Sequence, residues 1–125
     1  MLELMSLAKL KKISARNPSW IPILQNVIDG CTSAGQVDRI YVFGSFARNE
    51  MHGESDLDIA VIIPDTQDPK EFREKLKKPL CEWPSDLIVA TTSRFNERRE
   101  FGGVLFEVYH DGIEIYPTWN LQIDK

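Results

Sequence analysis

Ile59-Ala60-Val61-Ile62-Ile63 is the run that most restricts this chain, because an unbroken apolar segment so dense in β-branched residues reads as a buried strand. The run is entered through Asp56-Leu57-Asp58, and buried strands do not usually recruit carboxylates. Upstream, a first apolar run from Val37 to Phe43 leads into Gly44-Ser45 and then a polar turn. A third, Leu87-Ile88-Val89-Ala90, follows Pro84-Ser85-Asp86, so an aspartate again stands at a strand entrance.

Helical patterns fill the intervals. Leu2, Met5, Leu10 and Ile13 share one face of a first helix, with Leu7 off the stripe. Ser19 is placed to cap a second helix, Pro22 falls in its first turn, and Trp20, Leu24, Val27 and Ile28 recur at helical spacing until Gly30. "DPKEFREKLKK" opens with Asp68 as a cap and Pro69 in the favoured first position, and stops before Pro79 as a solvated, charged helix. From Ser93 a longer helix is expected, with Phe101, Val104, Leu105, Val108 and Tyr109 on its apolar face, ending at "HDG" before a short strand, Ile113–Tyr116. The order predicts an α/β or α+β fold, a sheet with helices packed on it. One domain over 1–125 is expected, with a helical segment at 1–35, a catalytic core at 36–117 and a tail at 118–125.

The chemistry lies between the first two strands. Residues two apart on a strand project to one face, so Asp56 and Asp58 set their carboxylates side by side, about 7 Å apart at the backbone. Like charges so close need a cation, and oxygen donors without His or Cys favour Mg2+ or Mn2+, which keep positions for water and phosphates. Gly44 lets the backbone approach a ligand, Ser45 offers a hydroxyl and an N–H, and a short helix over 46–49 would turn free amides toward an anion. Together they form a triphosphate cradle. Arg48 adds charge to it, or else pairs at the surface with Glu50 or Glu54.

Other chemistries have less support. A formal net charge of -4 and a pI near 5.2 argue against an extended nucleic-acid surface. Cys31 and Cys81 sit in no metal or disulfide pattern and read as reduced cysteines of a cytoplasmic chain. Glu3 precedes the first apolar residues and the lysines follow them, the reverse of a secretory leader, and no apolar run approaches a membrane span. His52 and His110 read as surface groups. Ser45 lacks the Gly-x-Ser-x-Gly elbow of a hydrolase nucleophile.

"GSFARNE", "SDLDIAVII" and "SDLIVA" together resemble the minimal nucleotidyltransferase group of the polymerase-β-like nucleotidyltransferase superfamily, over the span from Val37 through the final strand. The resemblance implies the polymerase-β-like fold, a central mixed β-sheet flanked by helices, and that Gly44 and Ser45 hold nucleotide phosphates, that Asp56 and Asp58 bind two metal ions, and that Asp86 is the third carboxylate. Asn49 departs from the pattern, standing where relatives often carry glycine; asparagine tolerates positive φ, so the turn is expected to survive. The implied reaction is in-line transfer of a nucleoside monophosphate from an NTP, with ATP the expected donor, to an acceptor hydroxyl. Members of this group resemble the antitoxin half of toxin–antitoxin pairs, so the leading acceptor is a helical protein partner, a HEPN-type toxin. A small acceptor such as an aminoglycoside and an inert binding subunit are the alternatives, and self-association stays open.

Overall fold

The computed structural model describes residues 2–76 and 80–117, with side chains of the first helix described from Ala8 onward. Four strands form one mixed sheet in the order β3-β2-β1-β4. They are β1 (Arg39–Phe43), β2 (Leu57–Ile63), β3 (Ser85–Thr91) and β4 (Ile113–Tyr116). β1 runs antiparallel to both β2 and β4, whereas β2 and β3 are parallel and are joined through the helix α3 (Pro69–Lys75). The sheet is therefore mixed, as the resemblance implies.

β2 is apolar almost throughout because both of its faces are covered. On one face Ile59, Val61 and Ile63 pack with residues of α1 (Leu2–Arg16) and α2 (Trp20–Ala34), including Leu10, Leu24 and Val27. On the other, Ala60 and Ile62 meet Phe95 of α4 (Thr92–Arg98) and Leu105 and Val108 of α5 (Val104–Asp111). Asp58 belongs by alternation to this second face. The core thus leaves one end of the second face, at the close of β1 and the start of β2 and β3, for polar groups.

Several expectations need correction. β1 begins at Arg39 rather than Val37. α2 does not stop at Gly30 but runs to Ala34; a Cβ at Gly30 would lie 2.8 Å from Leu80 Cδ2, so this glycine admits a neighbouring segment rather than ending the helix. Ser19 occupies the position before α2 with helical φ and ψ of -64° and -15°, and makes no capping bond. Its hydroxyl donates instead to Asn17 Oδ1 at 2.6 Å. The long helix expected from Ser93 is two helices, broken at Gly102 and Gly103, both at positive φ. Phe101 consequently stands 78% exposed, not on a buried face, and Val104 is exposed too, while Leu105 and Val108 are buried as expected.

Other local readings hold. Asp68 accepts from the Glu71 amide at 3.2 Å with Pro69 in the first turn of α3, and β4 spans Ile113–Tyr116. α3 ends at Lys75, where Leu76 turns extended, short of the expected stop before Pro79. The face assigned to Leu2 and Met5, the off-stripe Leu7 and the tail 118–125 lie outside the described residues or side chains.

Candidate active site

The open end of the second face is built by three strand ends. Gly44 follows directly on β1 with φ 70°, a conformation that favours glycine. A Cβ there would collide with Asp58 Oδ2, so the absence of a side chain lets the backbone lie against that carboxylate. The short helix expected over 46–49 is instead a run of turns: Arg48 N donates to Gly44 O at 3.2 Å and Glu50 N to Ser45 O at 2.8 Å. Asn49 takes φ 59°, the left-handed conformation that asparagine tolerates, and the turn survives without the glycine.

This turn leaves donors open. The amides of Ser45, Phe46 and Ala47 reach no acceptor among the described residues, and neither does the half-buried Ser45 hydroxyl. Successive unpaired N–H groups in a tight turn form an anion-binding concavity. Here that concavity adjoins carboxylates.

Asp58 is the second residue of β2 and stands in register with Phe43 on β1 and with Asp86 on β3. Asp86 therefore lies on β3 as its spacing implies, while Asp56 falls just before β2 rather than within it. Asp58 is half-buried, and Asp56 and Asp86 are exposed. Burial holds the Asp58 carboxyl above its usual range, and the charges of Asp86, Glu107 and Asp56 push the same way, against a smaller opposing effect of Arg48. Those residues form one electrostatic cluster.

Glu107 is the member that sequence reasoning missed. It sits in the first turn of α5, and Oε2 lies 3.9 Å from Arg48 Nη1. Its place depends on how α5 docks, which helical periodicity alone does not specify. Arg48 Nε also donates to Glu50 Oε1 at 2.9 Å. Of the two surface partners open to Arg48, the structure pairs it with Glu50, and it adds Glu107 in place of Glu54.

No group of three or more His, Cys, Asp or Glu among the described residues is gathered closely enough to enclose a metal ion. Mg2+ rarely needs such a cage; it is commonly held by one or two carboxylates together with substrate phosphates and water. Hard oxygen donors in one electrostatic cluster, one of them half-buried, beside an anion concavity, fit that mode of binding. Asp56, Asp58 and Asp86 are the residues that would supply the donors.

The remaining groups stand apart from this chemistry. His110 pairs with Glu100 at 2.9 Å, and His52 Nδ1 accepts from the Glu54 amide at 3.2 Å. Cys31 and Cys81 are free and buried, and burial pushes the Cys31 thiol up to about 12. No described helix is long and apolar enough to cross a membrane.

The family model described as "Nucleotidyltransferase domain" matches residues 24–105, which include the cradle turn and all three aspartates. Among solved structures, a Sulfolobus solfataricus protein assigned as a nucleotidyltransferase aligns with 84% of this chain and 95% of its own, at 17% identity and a TM-score of 0.49. No curated protein matches the chain.

Proposed function

The chain belongs to the nucleotidyltransferase domain family, and on that premise we propose that it transfers a nucleoside monophosphate from an NTP, ATP first, to a hydroxyl on a helical protein partner. The partner class is a HEPN-type toxin, which makes this chain the antitoxin-type member of a cytoplasmic pair. The observation that carries the reading is the meeting of Asp58 with Gly44 on one side and Asp86 on the other, which sets carboxylates against the turn with open amides.

In this reading the amides of Ser45, Phe46 and Ala47 and the Ser45 hydroxyl receive the triphosphate. Arg48 lies beside the same turn, where it can exchange a carboxylate for a phosphate oxygen. Asp56 and Asp58 would hold two divalent ions with Asp86 as the third carboxylate; such ions supply charge neutralisation and alignment of the reacting oxygens. The acceptor oxygen bonds to the α-phosphorus as the bond to the β-phosphate oxygen breaks, and pyrophosphate leaves with that electron pair. Asp86, exposed at the rim, accepts the hydroxyl proton.

The test is incubation of the chain and its partner with labelled NTP and Mg2+, followed by mass spectrometry of both. The reading expects one NMP added to a tyrosine or serine of the partner. Label found only on a small acceptor, or stable binding without label under any NTP, would contradict it.

A further inference from the structure

A second cleft lies across the sheet from the carboxylates. Its volume is about 380 Å³, within the range of small-molecule sites, and it runs between the α1–α2 junction and the segment that leads from the cradle turn toward Asp56. Trp20 and Phe46 in its wall belong to the core of the α1–α2 face, whereas Asp58 belongs to the α4–α5 face.

Its described polar lining carries no carboxylate. Arg16, Asn17, Ser19, Asn49 and His52 line it, and none of the described Asp or Glu residues does. Arg16 ends α1, is exposed, and makes no ion pair with any described residue. Asn17 spends its Oδ1 on the Ser19 hydroxyl and leaves its amide N–H groups to donate. His52 accepts at Nδ1 from the Glu54 amide, so its hydrogen sits on Nε2. The cleft thus offers a permanent positive charge and several donors, which suit a ligand that brings acceptors and negative charge.

The rest of the wall is apolar, aliphatic at Ile13, Ile23 and Met51 and aromatic at Trp20, Phe46 and Trp83. Trp20 stands 5.1 Å from Trp83 and 5.0 Å, edge to face, from Phe46, and the half-buried Trp83 borders the cleft opening. Trp20 and Phe46 are buried and back the half-buried Trp83, so a flat ring against Trp83 with a phosphate toward Arg16 and His52 satisfies both parts of the lining. Nucleotides are the ring-bearing anions that a nucleotidyltransferase meets. We propose that this cleft is a second nucleotide site, selective for a nucleoside monophosphate and separate from the cradle. Phe46 and Asn49 belong both to its wall and to the cradle turn, so the two sites share a structural element.

The experiment titrates AMP into the full chain with a chelator present, so that the aspartates hold no divalent ion, and follows heat and tryptophan fluorescence. Saturable binding is expected at one site, with a fluorescence change from Trp20 and Trp83. Arg16→Gln should weaken it at least ~10-fold, as a lost charge-assisted contact to phosphate would, and His52→Gln, on a different loop, should weaken it too. Asp58→Asn should leave it unchanged, and circular dichroism verifies that each variant is folded. Absence of saturable binding, affinity untouched by both cleft substitutions, or loss of binding in Asp58→Asn would overturn the proposal. Inorganic phosphate bound as tightly as AMP would overturn it as well, because the ring would then contribute nothing.

Discussion

Asp58 and Asp86 face one another in register across the parallel strands β2 and β3, and the charge of Asp86 adds to burial in holding the Asp58 carboxyl above its usual range. Two carboxylates in that relation, next to open amides, are poor structural elements and good ligands for a cation that carries phosphate.

The pH dependence of stability follows from that shift. A carboxyl whose pKa is raised in the folded state binds its proton more tightly there than in the unfolded chain. Its contribution is therefore full below the ordinary value of 3.8 and is lost as pH rises through the higher folded value. Thermal melts without divalent ions should show Asp58→Asn gaining on the wild type across that window, and Mg2+ should narrow the difference at neutral pH. A difference independent of pH would contradict the assignment of Asp58 to a like-charge cluster.

Gly44→Ala combines a positive-φ penalty with a collision at Asp58 Oδ2. Denaturant unfolding should show a loss of about 1 kcal/mol or more, accompanied by a higher KM for NTP. An alanine variant of wild-type stability and KM would mean that the turn relaxes freely.

Ser45→Ala removes a hydroxyl with no acceptor or donor among the described residues, so the fold should be indifferent. NTP use should weaken by roughly 1–3 kcal/mol, the scale of a hydrogen bond to a charged group. Steady-state kinetics at subsaturating NTP checks this, and unchanged kcat/KM would reduce Ser45 to a turn residue.

Phe101 and Leu105 separate the two readings of the α4–α5 segment. Phe101 is largely exposed and Leu105 is buried. Phe101→Ser should change unfolding free energy by no more than about 0.5 kcal/mol, whereas Leu105→Ala should cost about 2–5 kcal/mol. Equal costs would restore the single long helix.

What the sequence made legible is what local chemistry controls. The β-branched run of β2, the Asp68-Pro69 opening of α3 and the tolerance of Asn49 for positive φ each depend on nearest neighbours. The break at Gly102-Gly103 escaped because the helical spacing of apolar residues continues across it; periodicity sees the shared face and not the interruption. Glu107 and the donor-lined cleft escaped for a different reason. Each exists only once distant segments dock, α5 against the cradle turn in one case and the α1–α2 junction against the segment around His52 in the other.

The central claim is that Asp58 serves transfer and not folding. The most direct measurement compares pyrophosphate release by wild type and Asp58→Asn, with NTP, Mg2+ and the acceptor protein present and circular dichroism confirming the fold of both. The account predicts acceptor-dependent release by the wild type, abolished by a chelator, and no release above background by a folded Asp58→Asn. A folded variant that keeps most of the wild-type rate would contradict it.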